Sequence, residues 1–93
     1  MEMEDTVVLF LFYLRLAGAS SSRMALYRAR LARLCRFCRC PVEALDRALF
    51  RRYTEWLHGH LNDNSVSGHV LAAREFFDWC VSQNYLAENP ALD

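Results

Sequence analysis

Cysteine and histidine are the residue types of this chain best suited to metal chemistry, with four cysteines and three histidines among 93 residues. Cys35, Cys38 and Cys40 precede His58 and His60, which supplies enough thiol and imidazole ligands for one zinc ion. However, the two histidines lie closer together than in the usual zinc modules. Cys35 and Cys38 also fall on the apolar side of a predicted helix, where free cysteine commonly fills the core. We therefore expect no metal and no cofactor, and the alternative of a zinc-stabilised module would be tested by metal analysis.

Nucleophilic catalysis is the second chemistry to consider. The sequence places no nucleophile beside a base and an orienting acid, and histidines near helix ends among polar residues are typical of solvated side chains. A chain of 93 residues is also too short for a multistep enzyme with its own cofactor fold. We therefore expect no catalytic residue and no enzymatic activity in this chain.

Arginine carries the strongest chemical signal. All eleven basic residues are arginines, and residues 15–52 contain ten of them against two acidic residues, a balance of +8 within a chain of zero net charge. Such a block predicts binding to a polyanion, above all to a phosphate backbone. Arginine suits bidentate contact with phosphate, although its exclusive use is equally consistent with a GC-rich coding sequence.

Four helices are predicted to position these residues, because apolar residues recur with helical periodicity and the chain has only three glycines and two prolines. The predicted bounds are about 6–17, 21–38, 42–61 and 65–83. Asp5 or Thr6 is the predicted N-cap of the first helix, and a short turn is expected before Asp46 in the third. Ser65 is the predicted N-cap of the fourth helix and Asn84 its left-handed C-cap. The second helix is amphipathic, with an apolar sector opposite an arginine face. That face consists of Arg28, Arg30, Arg33, Arg36 and Arg39.

Large apolar side chains of the second, third and fourth helices are predicted to form the core, namely Leu31, Leu34, Tyr53, Trp56, Phe76 and Phe77. The first helix is apolar on nearly every side, so one small bundle can cover only part of its surface. We expect its exposed side to serve a protein partner. The alternative is that the loop around Pro41 or the segment Leu86–Leu92 covers that side.

The hydropathy pattern of the sequence indicates where in the cell the protein is located. The longest apolar run, Val7–Leu14, has eight residues, whereas a helix that spans a bilayer needs roughly 20. Acidic residues precede this run, where a signal peptide would carry positive charge. We therefore expect a cytoplasmic protein with no membrane partner, in which all four cysteines are reduced.

Several short motifs follow one another along almost the whole chain. They are Phe10-x2-Tyr13-Leu14-Arg15, the serines after Gly18, Tyr27-Arg28 with Leu31, Leu34 and Phe37, the cap serine Ser65, Val70-x2-Ala73-Arg74-x-Phe76-Phe77, and Asn89-Pro90-Ala91. Their order and spacing together resemble the N-terminal core-binding (SAM-like) domain of tyrosine recombinases, also called phage integrases.

The resemblance implies an all-α fold, a small four-helix (SAM-like) orthogonal bundle. It also implies that residues 1–93 are a single DNA-binding domain of a longer recombinase. In that family the bundle covers one face of double-stranded DNA, and a separate catalytic domain of the same protein covers the other. The nucleophilic tyrosine belongs to that catalytic domain, so no tyrosine of this chain is expected to be catalytic. Assembly of several copies on DNA through the first helix is a further expectation.

The second and fourth helices are expected to present the DNA surface, because a helix N-terminus offers free N–H groups and a positive dipole end to phosphate. Contacts of this kind position a protein on DNA without reading its sequence. The alternative is an α-helical protein-interaction domain that binds no nucleic acid, and steep salt dependence of DNA binding would separate the two. The side chains expected at the DNA surface are Ser20, Ser21, Ser22, Arg23, Arg28, Arg30, Ser65, Ser67, His69 and Arg74.

Overall fold

The computed structural model describes residues 1–91, and its regular structure is helical. Four α-helices follow one another as α1 (Met3–Leu16), α2 (Ser21–Cys38), α3 (Arg47–His60) and α4 (Asp63–Ser82), with a single 3₁₀ turn at Val42–Ala44 before α3. The predicted all-α, four-helix fold is confirmed, as is the short turn before Asp46.

The bounds of α2 agree with the sequence prediction because both ends are set locally. Ser20 caps the first turn, its hydroxyl oxygen accepting a hydrogen bond from the backbone N–H of Arg23 at 3.1 Å. At the other end, Arg39 adopts a left-handed conformation with φ of 47°, and Pro41 follows, which disfavours continuation of the helix. The arginines of this segment therefore have the helical register that their spacing predicts.

Two predicted N-caps are wrong. α1 begins at Met3, so Asp5 lies within its first turn and Thr6 donates its hydroxyl to the carbonyl oxygen of Glu2 at 3.1 Å. α4 begins at Asp63, because the side chain of Asn62 accepts a hydrogen bond from the backbone N–H of Ser65 at 2.9 Å. An asparagine caps a helix as well as a serine does, so the earlier residue takes the role.

The core lies where α1, α2, α3 and α4 meet, and it is rich in aromatic rings. Of the six residues predicted for the core, those that are buried are Leu31, Leu34, Tyr53, Phe76 and Phe77. Trp56 is 37% exposed, so its predicted burial is wrong. Leu57, the next residue of α3, takes the inward position, and the indole of Trp56 lies at the edge of the core against Phe37.

One side of α1 remains exposed although the helix packs on α2 and α4. Its solvent-facing apolar side chains include Val8, Phe12 and Leu16, which are 64%, 59% and 74% exposed. The loop around Pro41 is bonded to the beginning of the chain, through a bridge between Glu2 and Pro41 and a hydrogen bond from Val42 N–H to the carbonyl oxygen of Met1.

The C-terminal segment leaves the same side open. Asn89 and Ala91 are buried and bonded to the second half of α4, and Leu92 lies outside the described residues. Neither segment therefore covers the apolar side of α1 in the part of the chain that the structure describes.

Candidate nucleic-acid interface

α2 and α4 form an antiparallel pair, which determines how the predicted DNA-contacting residues are arranged. The hydroxyl of Tyr27 donates to a carboxylate oxygen of Glu75 at 2.7 Å, whereas the guanidinium of Arg30, further along α2, lies against Gly68, earlier in α4. The N-terminus of α2 is therefore at one end of the pair and the N-terminus of α4 at the other. Glu75 lies twelve residues after Asp63, which corresponds to about 18 Å along the helix.

The N-terminus of α2 is open to solvent but its arginine is engaged. Ser20, Ser21 and Ser22 are exposed. Arg23 forms an ion pair with Glu75, with 3.3 Å between Nη2 and the carboxylate oxygen, and its guanidinium lies 5.1 Å from the centre of the Tyr27 ring. Arg23 is thus held against α4 by the same carboxylate that accepts the Tyr27 hydroxyl.

Arg28 and Arg30 lie on opposite flanks of α2, because two residues along a helix are separated by about 200°. Arg28 lines shallow grooves between α1 and α2 beside Val8 and Leu11. Arg30 is partly buried where α2 meets α4. The structure therefore brings Arg30, but not Arg28, to the surface of the α2–α4 pair.

The close approach of Arg30 to α4 depends on Gly68. A Cβ atom at this position would lie 2.5 Å from Nη2 and 2.7 Å from Cζ of Arg30. Because a glycine has no such atom, the planar guanidinium rests directly on the helix backbone. This contact is the link that the structure makes between the arginine face of α2 and the first half of α4.

The predicted residues of the first half of α4 differ in accessibility. Ser67 is exposed, whereas Ser65 is half-buried and its backbone N–H is used by the cap. The ring of His69 is half-buried, and its Nδ1 lies 2.8 Å from the carbonyl oxygen of Ser65. A carbonyl can only accept, so Nδ1 carries the proton and the His69 ring is held on its own helix.

Arg74 lies on the far flank of α4, in a groove of about 330 Å³ between α3 and α4. Its Nη2 donates to the carbonyl oxygen of Ala91 at 3.5 Å. Arg47 and Arg51 line the same groove, although neither was predicted from the sequence to belong to a site. Their four-residue spacing on α3, which places both on one face, is the signal that could have identified them.

The cysteines are free thiols. Burial raises the pKa of Cys35, Cys38 and Cys80 to about 12, which keeps them protonated near neutral pH. Within residues 1–91, no three side chains of the types that ligate metals come together in a group that could hold an ion.

The comparison with protein families identifies the chain. The model of the phage integrase SAM-like domain matches residues 12–92. The chain belongs to this family. The phage integrase SAM-like domain is the non-catalytic N-terminal part of integrases, and the resemblance drawn from the motifs is confirmed.

Two further observations accompany this assignment. Neither the comparison with curated proteins nor that with solved structures gave a significant match. In the described part of this phage integrase SAM-like domain, every helix is too short or too polar to cross a membrane.

Proposed function

We propose that this domain is the DNA-binding half of a site-specific tyrosine recombinase clamp and that it contacts double-stranded DNA mainly through phosphates. In this proposal residues 1–93 are one domain of a longer cytoplasmic protein, whose catalytic domain covers the opposite face of the DNA. Family membership supports the association with an integrase, and the guanidinium of Arg30 against Gly68 on the α2–α4 pair supports the contact with DNA.

The observation that carries the proposal is the contact between Arg30 and Gly68. It places a guanidinium near the middle of the α2–α4 pair, while the exposed serines of the α2 N-terminus lie towards one end and Ser67 towards the other. A phosphate backbone laid along the pair would meet a helix N-terminus, the guanidinium of Arg30 and a second helix N-terminus in turn. The contacts would position the domain and carry little sequence information.

The remaining predicted residues fit this surface unequally. Arg23 is neutralised in part by Glu75, so we assign it a supporting role at the α2 N-terminus. Arg28 and Arg74 lie on the two outer flanks of the pair. A DNA surface that includes both must extend past α2 towards α1 and past α4 towards α3.

Fluorescence anisotropy with a labelled duplex at a series of salt concentrations tests the proposal. We expect Arg30→Ala to weaken binding to all duplex sequences and to flatten the salt slope by about one unit. Arg52→Ala removes an equal charge from α3, where Arg52 is exposed and lines none of these grooves, and serves as the matched control. An Arg30→Ala slope equal to that of the wild type would remove this surface from the interface, whereas Arg28→Ala tests the α1 flank separately.

The exposed apolar side of α1 favours a second function, association with a protein partner. An antiparallel pair of α1 helices from two copies would cover Val8, Phe12 and Leu16 and would bring Asp5 of one copy towards Arg15 of the other. We expect sedimentation at rising concentration to show dimers and Phe12→Glu to abolish them. A wild-type domain that stays monomeric at millimolar concentration would contradict self-association.

A further inference from the structure

A second cationic groove lies between the C-terminal parts of α2 and α3, and its volume is about 680 Å³. Three arginines and three rings line it: Arg33, Arg36, Arg39, Phe37, Trp56 and His60. No carboxylate is among its lining residues, and within residues 1–91 none of its arginines forms an ion pair. The groove therefore has positive charge that the described part of the domain does not neutralise.

The rings of Trp56 and His60 are stacked in this groove and together form an aromatic shelf. Their centroids are 4.4 Å apart with 28° between the planes. The Nδ1 of His60 lies 2.8 Å from the carbonyl oxygen of Trp56, which fixes the imidazole on the helix, and Phe37 supports the indole from α2 at 5.6 Å. Both shelf residues are exposed. Because their rings stack on each other, a planar group would stack on the outer face of His60, beside the open edge of Trp56, without rearrangement of the core.

The combination of arginines and exposed aromatic rings indicates which kind of anionic molecule fits this groove. In a duplex the faces of the bases are covered by the neighbouring base pairs, so a duplex would contact the arginines and would not stack on the shelf. An acidic peptide would also satisfy the arginines alone. An unpaired strand presents phosphates and free base faces together, and grooves that bind single strands combine a basic track with aromatic side chains in this way.

We propose that the α2–α3 groove binds single-stranded nucleic acid, with phosphates on Arg33, Arg36 and Arg39 and a base stacked on the Trp56–His60 shelf. This function goes beyond duplex binding by the α2–α4 pair and uses different side chains. The guanidinium of Arg39 is already oriented, since its Nε donates to the carbonyl oxygen of Arg36 at 3.1 Å.

Intrinsic fluorescence tests the proposal directly, because the chain contains only two tryptophans. Trp79→Phe leaves Trp56 as the sole reporter and keeps an aromatic ring beside Phe10 and Phe76. We expect a thymidine oligonucleotide of about 12 nucleotides, within the usual site size of single-strand binders, to quench Trp56 emission. The same titration with a duplex should leave the emission nearly unchanged.

Variants followed by anisotropy separate stacking from charge. We expect Trp56→Leu to weaken single-strand binding about fivefold or more and Trp56→Phe to retain most of it. Arg36→Ala should flatten the single-strand salt slope by about 0.7 units, whereas Arg15→Ala should weaken binding much less. If Trp56→Leu does not fold, His60→Ala, which removes an exposed ring, gives the same comparison.

Three results would overturn the proposal. They are unchanged Trp56 emission with the oligonucleotide, equal quenching by a polyglutamate peptide of the same charge, and equal quenching by the duplex. The last would assign the groove to the duplex surface instead. Arg30→Ala distinguishes this proposal from the previous one, because it should weaken duplex binding and leave quenching by the single strand intact.

Discussion

The guanidinium of Arg30 occupies the space that a side chain at position 68 would need. A Cβ on Gly68 would lie 2.5 Å from Nη2 of Arg30, well inside contact distance. The contact joins an arginine near the middle of α2 to the first half of α4. A substitution at Gly68 would disrupt it while leaving Arg30 in the sequence. The interface proposal can therefore be tested by a substitution that removes no charge.

Gly68→Ala should displace the guanidinium of Arg30 while keeping α4 intact. Alanine is more favourable than glycine inside a helix by about 0.5–1 kcal/mol, so we expect thermal stability equal to or above that of the wild type and weaker duplex binding. Gly59→Ala is the matched control, because it also lies within a helix and a Cβ there would meet nothing within 4 Å. Equal duplex affinity in both variants would show that the position of Arg30 does not matter for DNA.

Asn89 should anchor the C-terminal segment to α4. Its Nδ2 donates to the carbonyl oxygen of Arg74 at 3.1 Å and to a carboxylate oxygen of Asp78 at 2.7 Å, while its Oδ1 accepts from the backbone N–H of Ala91 at 2.8 Å. Since Asn89 is 4% exposed, Asn89→Ala should lower the free energy of unfolding by about 1–3 kcal/mol in urea denaturation. Faster hydrogen exchange at the Ala91 amide would accompany this loss. Asn64→Ala, at an exposed position of α4, should change neither quantity.

Phe77 should be essential for the stability of the core. Its side chain is fully buried and its ring packs edge-on against Phe50 at 5.3 Å. Phe77→Ala should cost about 3–5 kcal/mol, a large part of the roughly 5–15 kcal/mol that stabilises a domain. Thermal denaturation followed by circular dichroism measures the loss, and Leu71→Ala on the exposed side of α4 is the control. A melting temperature of Phe77→Ala within a few degrees of the wild type would contradict this packing.

Alkaline pH should destabilise the domain through its buried thiols. Burial raises the pKa of Cys35 and Cys80 from 9.0 to about 12. Above pH 9 the unfolded chain therefore loses thiol protons that the folded chain retains, and stability falls as pH rises towards 12. The expected slope is up to about 1.4 kcal/mol per pH unit for each thiol.

Urea denaturation at a series of pH values measures this slope. Cys80→Ala should reduce it, whereas Cys40→Ala, at a position that is only half-buried, should reduce it less. A wild-type slope that Cys80→Ala leaves unchanged would assign the alkaline instability to other groups.

Local features of the sequence were sufficient to predict most of the secondary structure and much of the core. The bounds of α2 follow from the serines before it and from Pro41 after it, because caps and chain breakers act within one turn of a helix. The left-handed conformation of Asn84 was predicted for the same reason and is observed, with φ of 64°. The N-terminus of α4 was misplaced because Asn62 and Ser65 are both good caps, and local preference does not choose between them.

What the sequence by itself determined is the set of helices, the arginine-rich face of α2 and the motifs that assign the family. Only the tertiary structure decided which flank of α2 meets α4, and so it separated Arg28 from Arg30 and paired Arg30 with Gly68. The packing of the helices also leaves Trp56 exposed and creates the α2–α3 groove. The physical reason is that periodicity specifies which side of a helix is apolar, whereas the neighbour that covers each flank depends on how whole helices pack in three dimensions.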